Sequence, residues 1–317
     1  MKLSLLPIQE KSNNQSSQLI VIPEKSTKLS HVEIKHWDEL TKGSGIPADL
    51  VELNIRSING KEATDLIGTG KNVSSGWVQY CALNPESFLF KPDVPSIGKN
   101  GKSVKYLNAK DSKHHVMFPF IPVKLGNRLL KSWGDKVGTR KYDENLTSKS
   151  FWNTVAKDTS IPLVLTEGGK KAMACLATDR IAIAMKGQYS YLTPKAKRDG
   201  KTLAKDIHSD ELAFIDFSGR EVFIALDNDT VGSTAYPATR LAISKMAAHF
   251  SVLKARVRVV TWTGSKGIDD LLVDQGKDAV IDAFTNAQDD SESMDSYSRD
   301  LYAHYTKTDI QCRFQVY

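Results

Sequence analysis

No apolar run in this 317-residue sequence approaches the roughly 20 residues that a membrane-spanning helix needs, which argues against a helical membrane protein. Cysteine is almost missing. Cys81, Cys175 and Cys312 lie far apart, so the chain has neither the paired spacing of a zinc ribbon nor the clustered set of a disulfide framework. All three are expected to be reduced and structural. The opening MKLSLLPIQEKSNNQSSQ has an apolar stretch too short for a secretory leader and no small-residue cleavage site, so a cytoplasmic location is expected. A large charge imbalance is absent too, since 43 Lys and Arg stand against 37 Asp and Glu. What remains is an apolar fraction of 40% and a charged fraction of 25%. Those are the values of a soluble globular protein with material for one large or two ordinary domains.

The distribution of charge says more than its sum. Between Lys91 and Lys141, 12 Lys and Arg face three acids. A bias of this kind attracts phosphates, although a solvated basic face without a partner has the same composition. Lys99, Lys102, Lys105 and Lys110 are the candidates for contact with nucleic acid.

Along the chain, residues 1–30 are polar apart from LIVIP and are expected to form a disordered tail. From His31 apolar residues recur at helical spacing around a Gly-Ser-Gly-Ile-Pro break, which predicts two short helices joined by a turn. GWVQYCAL, SFLFKPDVP, VKYLNAK and HHVMFPFIPVKLG are short β-prone runs punctuated by Gly, Pro, Asn and Asp, which predicts a small antiparallel sheet. Residues 31–155 therefore read as a basic α+β unit. Residues 156–287 have a different rhythm, with strands predicted at IPLVLTE, RIAIAM, REVFIAL and RVRVV and helices between them. That alternation predicts a mostly parallel sheet with flanking helices, an α/β fold. Residues 288–317 start acidic and Ser-rich and are expected to be a linker with an unplaced end.

In a parallel α/β sheet, ligands bind beyond the carboxyl ends of the strands. Acidic residues stand at three such ends. Glu167 closes the first strand, Asp227 and Asp229 close the third, and Asp269 with Asp270 follow the fourth. The i, i+2 spacing of Asp227 and Asp229 aims both carboxylates at one point if the extended geometry persists. Hard cations take such oxygen ligands, and converging carboxylates without a cation repel one another. Each piece also has a plain structural reading. Asp-x-Asp can be a polar turn, Glu-Gly-Gly a tight turn, and Lys-Gly-Ile-Asp-Asp the start of a helix whose dipole favours acids.

Taken together, LVLTEGGKKAMACL, VFIALDNDTVGSTAY and VRVVTWTGSKGIDDLLV resemble the TOPRIM domain shared by topoisomerases, bacterial primases and some nucleases. The resemblance covers residues 161–285, and its last element is most similar to primase- or helicase-associated TOPRIM proteins of plasmids, phages and mobile elements. HWDELTKGSGI and KPDVPSIGKNGKSVKYL resemble the region that precedes the domain there. The resemblance implies Mg2+, with Mn2+ as a substitute, held by Asp227 and Asp229. Glu167 would be general acid/base or a further ligand, and Gly232 would turn the chain into the next helix. Asp269 and Asp270 would ligate metal or anchor Lys266 beside a phosphate, with Lys170 and Lys171 as further phosphate-facing cations. Many relatives carry a second acid where this chain has Gly169. The implied function is primer synthesis by nucleotidyl transfer from NTPs on single-stranded DNA, with a replicative helicase as partner. A TOPRIM nuclease and a non-catalytic DNA-binding replication accessory are the alternatives.

Overall fold

In the computed structural model of the chain, the described residues are 31–98, 101, 103–110, 112, 114–134, 141–193, 197–198, 201–202, 207–229, 233 and 235–289. Two short helices, α1 (Ile34–Thr41) and α2 (Ala48–Asn54), open this region on either side of the expected break. Strand β1 (Ile55–Ile58) follows α2 directly, in residues whose spacing had read as helix. Helix α3 (Gly60–Ile67) is set by a capping box: the Asn59 side chain accepts from the Lys61 and Glu62 N–H groups while Glu62 reaches back to the Asn59 N–H. That pairing satisfies donors at the helix start that have no intrahelical partner.

Strands β2 (Gly76–Tyr80) and β3 (Phe88–Pro92) complete an antiparallel sheet in the order β1-β2-β3. Neighbouring residues on a strand face opposite ways. Trp77 and Leu89 accordingly join the main core, while Val78, Phe88 and Phe90 pack with Ala63 and Ile67 of α3 in a second cluster. Cover on both faces explains why these runs are nearly continuous in apolar residues. A hairpin of β4 (Ser96–Ile97) and β5 (Ser103–Val104) follows.

Strand β6 (Val116–Met117) leaves this unit for the main sheet. After α4 (Val123–Gly134) and α5 (Ser148–Lys157) the α/β part runs through β7 (Leu163–Glu167), α6 (Gly169–Ala177) and β8 (Ala182–Met185). An excursion pairs β9 (Leu192–Thr193) with β12 (Ile207–His208) and β10 (Lys197–Arg198) with β11 (Lys201–Thr202). Then come β13 (Glu221–Ala225), α7 (Tyr236–Val252), β14 (Arg256–Val259), α8 (Ile268–Thr285, kinked at Gly276) and β15 (Gln288–Asp289).

The main sheet has the order β15-β14-β13-β7-β8-β6. Its four inner strands run parallel, and β6 and β15 are antiparallel edges. This is the mostly parallel sheet with flanking helices that the strand–helix rhythm predicts, preceded by an α+β unit. The chain winds from β7 outward to β8, then returns past β7 to β13 and winds the other way to β14. The point of reversal lies between β7 and β13, where sheets of this kind open a crevice at their carboxyl ends. Ala225 is paired with Thr166, so Glu167 and the segment 226–229 leave the sheet side by side.

One apolar core runs from Val32 to Ala287 and includes Trp77, Trp152, Leu165, Ile224 and Phe284. It crosses residue 155 without a break. Arg220 is buried within it, donating to the carbonyls of Val155, Ala156, Ile161 and Asp216 at 2.7–3.0 Å. Among the described residues no helix is long and apolar enough to cross a membrane.

Candidate active site

The acidic residues lie where the reversal predicts. Glu167 is the last residue of β7. Asp227 and Asp229 follow β13 by two and four residues, in a segment anchored by the residue between them. Asn228 donates its backbone N–H to the Lys266 carbonyl at 2.8 Å and its side-chain amide to the Trp262 carbonyl at 2.6 Å. These bonds clamp the loop after β13 onto the loop after β14. Asn228 was not a sequence candidate, although its place between two acids is a signal that could have marked it.

Cations interleave with the carboxylates. Lys266 Nζ is 3.8 Å from Asp227 Oδ2 and 3.7 Å from Asp229 Oδ1, so the two acids face one positive point. Lys171 Nζ lies 3.1 Å from Asp227 Oδ1. Burial pulls the Lys171 pKa down, but Asp227, Asp269 and Glu167 outweigh it and raise the value. Burial and the charge of Asp227 push the Glu167 carboxyl up, against the opposing pull of Lys171 and a hydrogen bond from Gln188. A carboxyl raised by burial and by a neighbouring carboxylate is suited to transferring a proton.

Lys170 turns away from this pair. Its Nζ is 3.1 Å from Ser44 Oγ, 3.5 Å from Glu39 Oε1 and 3.8 Å from Asp269 Oδ2. Glu39 also meets Lys91 at 2.7 Å and accepts from the Trp77 indole at 3.2 Å. This network draws α1, β2 and β3 of the N-terminal unit onto the starts of α6 and α8. Asp269 is buried, with Oδ1 unpartnered. Asp270 is exposed, and its Oδ2 accepts the Gly267 N–H at 2.8 Å as a helix start requires. The five carboxylates read from the sequence are thus divided: Glu167 at the end of β7, Asp227 and Asp229 around Lys266, Asp269 with Lys170, Asp270 on its own helix. Among the described residues no three His, Cys, Asp or Glu side chains gather as a metal cluster.

Two carboxylates are nevertheless what a Mg2+ site requires of a protein, since this ion keeps waters and substrate phosphates as its other ligands. Asp227 and Asp229 fit it. The Lys266 ammonium stands in for a cation between them, and the Lys171 ammonium lies 3.1 Å from Asp227 Oδ1. At the adjacent start of α6, Gly168 takes φ +88°, and a Cβ there would meet nothing within 4 Å. The first N–H groups of a helix have no intrahelical partner, and with Lys171 in this turn they suit an anion.

A further residue enters from the N-terminal unit. Gln79 of β2 is fully buried, and its amide occupies the space that a side chain at 169 would take. A Cβ on Gly169 would lie 1.7 Å from Gln79 Oε1. The missing acid at 169 and the insertion of Gln79 are therefore one feature, invisible to a search for charged residues. Tyr106 belongs here too. Burial raises its phenol pKa, with added effect from Glu39, Asp269 and Asp227. Its neighbour Lys105 is exposed, as is Lys110, whose N–H bonds the Ile67 carbonyl beside α3. Lys99, Lys102 and Gly232 lie outside the described residues.

A family model described as a domain of unknown function (DUF3854) matches residues 151–279. An uncharacterised protein of Picosynechococcus sp. is 26% identical over 286 residues, which cover 80% of this chain and 28% of that protein. The chain thus spans 28% of the length of this curated relative. Among solved structures, the zinc-binding and RNA polymerase domains of the Aquifex aeolicus primase align with a TM-score of 0.48 at 13% identity, covering 87% of this chain and 68% of that one. The RNA polymerase domain of the Mycobacterium tuberculosis primase aligns with a TM-score of 0.47 at 13% identity, covering 85% and 90%.

Proposed function

We propose that this chain is a primase-like TOPRIM protein that makes primers by Mg2+-dependent nucleotidyl transfer on single-stranded DNA, in the replication of a plasmid, phage or similar element. The observation that carries the reading is the pair Asp227 and Asp229 facing one cationic point at the reversal between β7 and β13, beside Glu167. Of the elements that drew the resemblance, Glu167, Asp227, Asp229 and Lys266 support the reading by their nearness to that point, while Asp269 and Asp270 have other partners.

Asp227 and Asp229 would hold the divalent ion, Mg2+ or Mn2+. Bound there, it supplies neutralisation of phosphate charge and alignment of the attacking and leaving oxygens. The remaining work falls to the chain's own groups. Lys266, 65% exposed on a flexible stem, is free to swing from the carboxylates onto phosphate oxygens. Lys171 and the first N–H groups of α6 present positive charge to the same phosphates. Glu167, with its raised pKa, is suited to take the proton of the attacking hydroxyl. The exposed Lys105 and Lys110 would hold the template backbone. A replicative helicase is the partner that the resemblance suggests.

The test is one assay with purified protein, labelled NTPs, single-stranded DNA and Mg2+, read on a gel beside the Asp227→Asn variant. Extended products from the wild type, reduced at least about 100-fold in the variant, are expected, because a neutral amide oxygen is a poor ligand for a hard cation. The variant should keep its fold and its metal-free DNA binding. Strand cutting without NTPs would replace this reading by a nuclease. Salt-sensitive binding with neither activity would replace it by an accessory protein. Full activity in the variant would make Asp227 a polar turn.

A further inference from the structure

Most threonines in the helices of this protein use their hydroxyls in one way. Thr41, Thr64, Thr154 and Thr285 each donate to the carbonyl four residues earlier, at 2.7–3.0 Å. This back-bonding is the ordinary local solution for a hydroxyl in a helix. Thr239, in the first turns of α7 and only 3% exposed, departs from it. Its Oγ1 donates instead to Asp229 Oδ2 at 2.5 Å, ten residues back along the chain. The same hydroxyl accepts from Gln188 Nε2 at 3.2 Å. Gln188 sits in the loop after β8, on the far side of β7 from Asp229, and its side chain acts on the Glu167 carboxyl to lower its pKa.

Donor counting fixes the direction of this chain of bonds. The glutamine amide nitrogen carries two protons and the threonine hydroxyl one. One amide proton goes to Thr239, which leaves the other for the neighbouring Glu167 carboxylate, and the hydroxyl proton goes to Asp229. The bridge therefore ends on a carboxylate at each side, one from the end of β7 and one from the loop after β13. Those are the two acids that flank the point of reversal.

We propose that Gln188 and Thr239 are positioning residues that hold Glu167 and Asp229 in a fixed relation across the crevice, so that a divalent cation meets a preformed carboxylate oxygen. With Oδ2 of Asp229 tied to Thr239, Oδ1 is the oxygen left facing the Lys266 ammonium. The proposal rests on the reading that Asp227 and Asp229 hold a metal. It adds that their geometry is set by two uncharged side chains from β8's loop and α7. Hydrogen-bonded partners of ligating groups have this effect elsewhere, and their loss lowers metal affinity about 10–100-fold.

The experiment is Mn2+ binding by calorimetry on the full chain without nucleotide, for the wild type, Thr239→Val, Thr239→Ser and Gln188→Met. Melting temperature and DNA affinity in chelator are measured alongside. Valine matches threonine in shape and removes only the hydroxyl, so Thr239→Val should weaken Mn2+ binding about 10-fold. Thr239→Ser keeps the hydroxyl and should bind within about 2-fold of wild type, and Gln188→Met should weaken binding with DNA affinity unchanged. A merely structural threonine would change the melting temperature and leave Mn2+ affinity alone. Wild-type affinity in both Thr239→Val and Gln188→Met would overturn the proposal, as would Thr239→Ser binding as weakly as the valine variant. If the wild type itself binds no Mn2+, the metal reading falls and the proposal falls with it. Wild-type binding with unaffected variants removes the bridge alone.

Discussion

Asp93 shows how a single residue here is fixed by several weak partners. Burial raises its pKa, but hydrogen bonds from His36, Lys35 and Ser75 outweigh that and hold the carboxyl at about 2. His36 is itself buried, with Nε2 2.7 Å from Asp93 and Nδ1 2.7 Å from the Ser57 hydroxyl. The arrangement ties α1 to the ends of β1 and β3. A carboxyl whose folded pKa is depressed contributes stability that is fully present above its unfolded value of about 3.9 and is lost as pH falls through about 2. The urea midpoint of the wild type should therefore fall between pH 5 and pH 2 more steeply than that of Asp93→Asn. Parallel slopes would show that the His36–Asp93 contact contributes nothing to acid stability. None of this was legible in the sequence. His36 and Asp93 are 57 residues apart, and although both fall in stretches that resemble the region before the domain, nothing in one dimension pairs them. Glu167, Asp227 and Asp229 were legible because a polar residue that ends an apolar strand run is conspicuous in one dimension.

At the scale of elements, the sequence signals worked where structure is local and failed where pairing is not. β7, α6, β8, β13, α7 and β14 lie where periodicity places them. β1 does not, because IRSI continues the helical spacing of α2, and only pairing with β2 some twenty residues later makes it a strand. β6 reads as part of the N-terminal sheet, but its partner is Met185 and Ala184 of β8. α3 did carry a local mark, the Asn59–Glu62 capping pair, hidden by the turn-like Asn-Gly that precedes it. The contact of β2 with α6 is of the non-local kind and has a measurable consequence. Gly169→Ala should destabilise the protein by about 1–3 kcal/mol, since its methyl would fall on Gln79 Oε1. Adding Gln79→Ala should recover most of that loss, because the space is then open. The check is a double-mutant cycle in urea, and strictly additive losses would contradict the contact.

For the whole molecule, the site exists because the chain reverses its winding between β7 and β13 and because the N-terminal unit closes over the starts of α6 and α8. The first cause was legible only in part, as the alternation of strands and helices that predicts a parallel sheet, because which strands neighbour each other is set by non-local pairing. The second was not, since the approach of Glu39, Lys91 and Gln79 depends on a core that runs through both parts of the chain. That approach also explains why Lys170 and Lys171, adjacent in sequence, have different partners, one in the N-terminal unit and one at Asp227. The account stands on a divalent cation binding between Asp227 and Asp229. Anomalous diffraction from crystals soaked in Mn2+ tests it most directly. The account predicts a peak within about 2.5 Å of a carboxylate oxygen from each of Asp227 and Asp229, with the Lys266 ammonium displaced from its place between them. A peak at Asp270 alone, or bound Mn2+ with Lys266 still bridging the two aspartates, would contradict it.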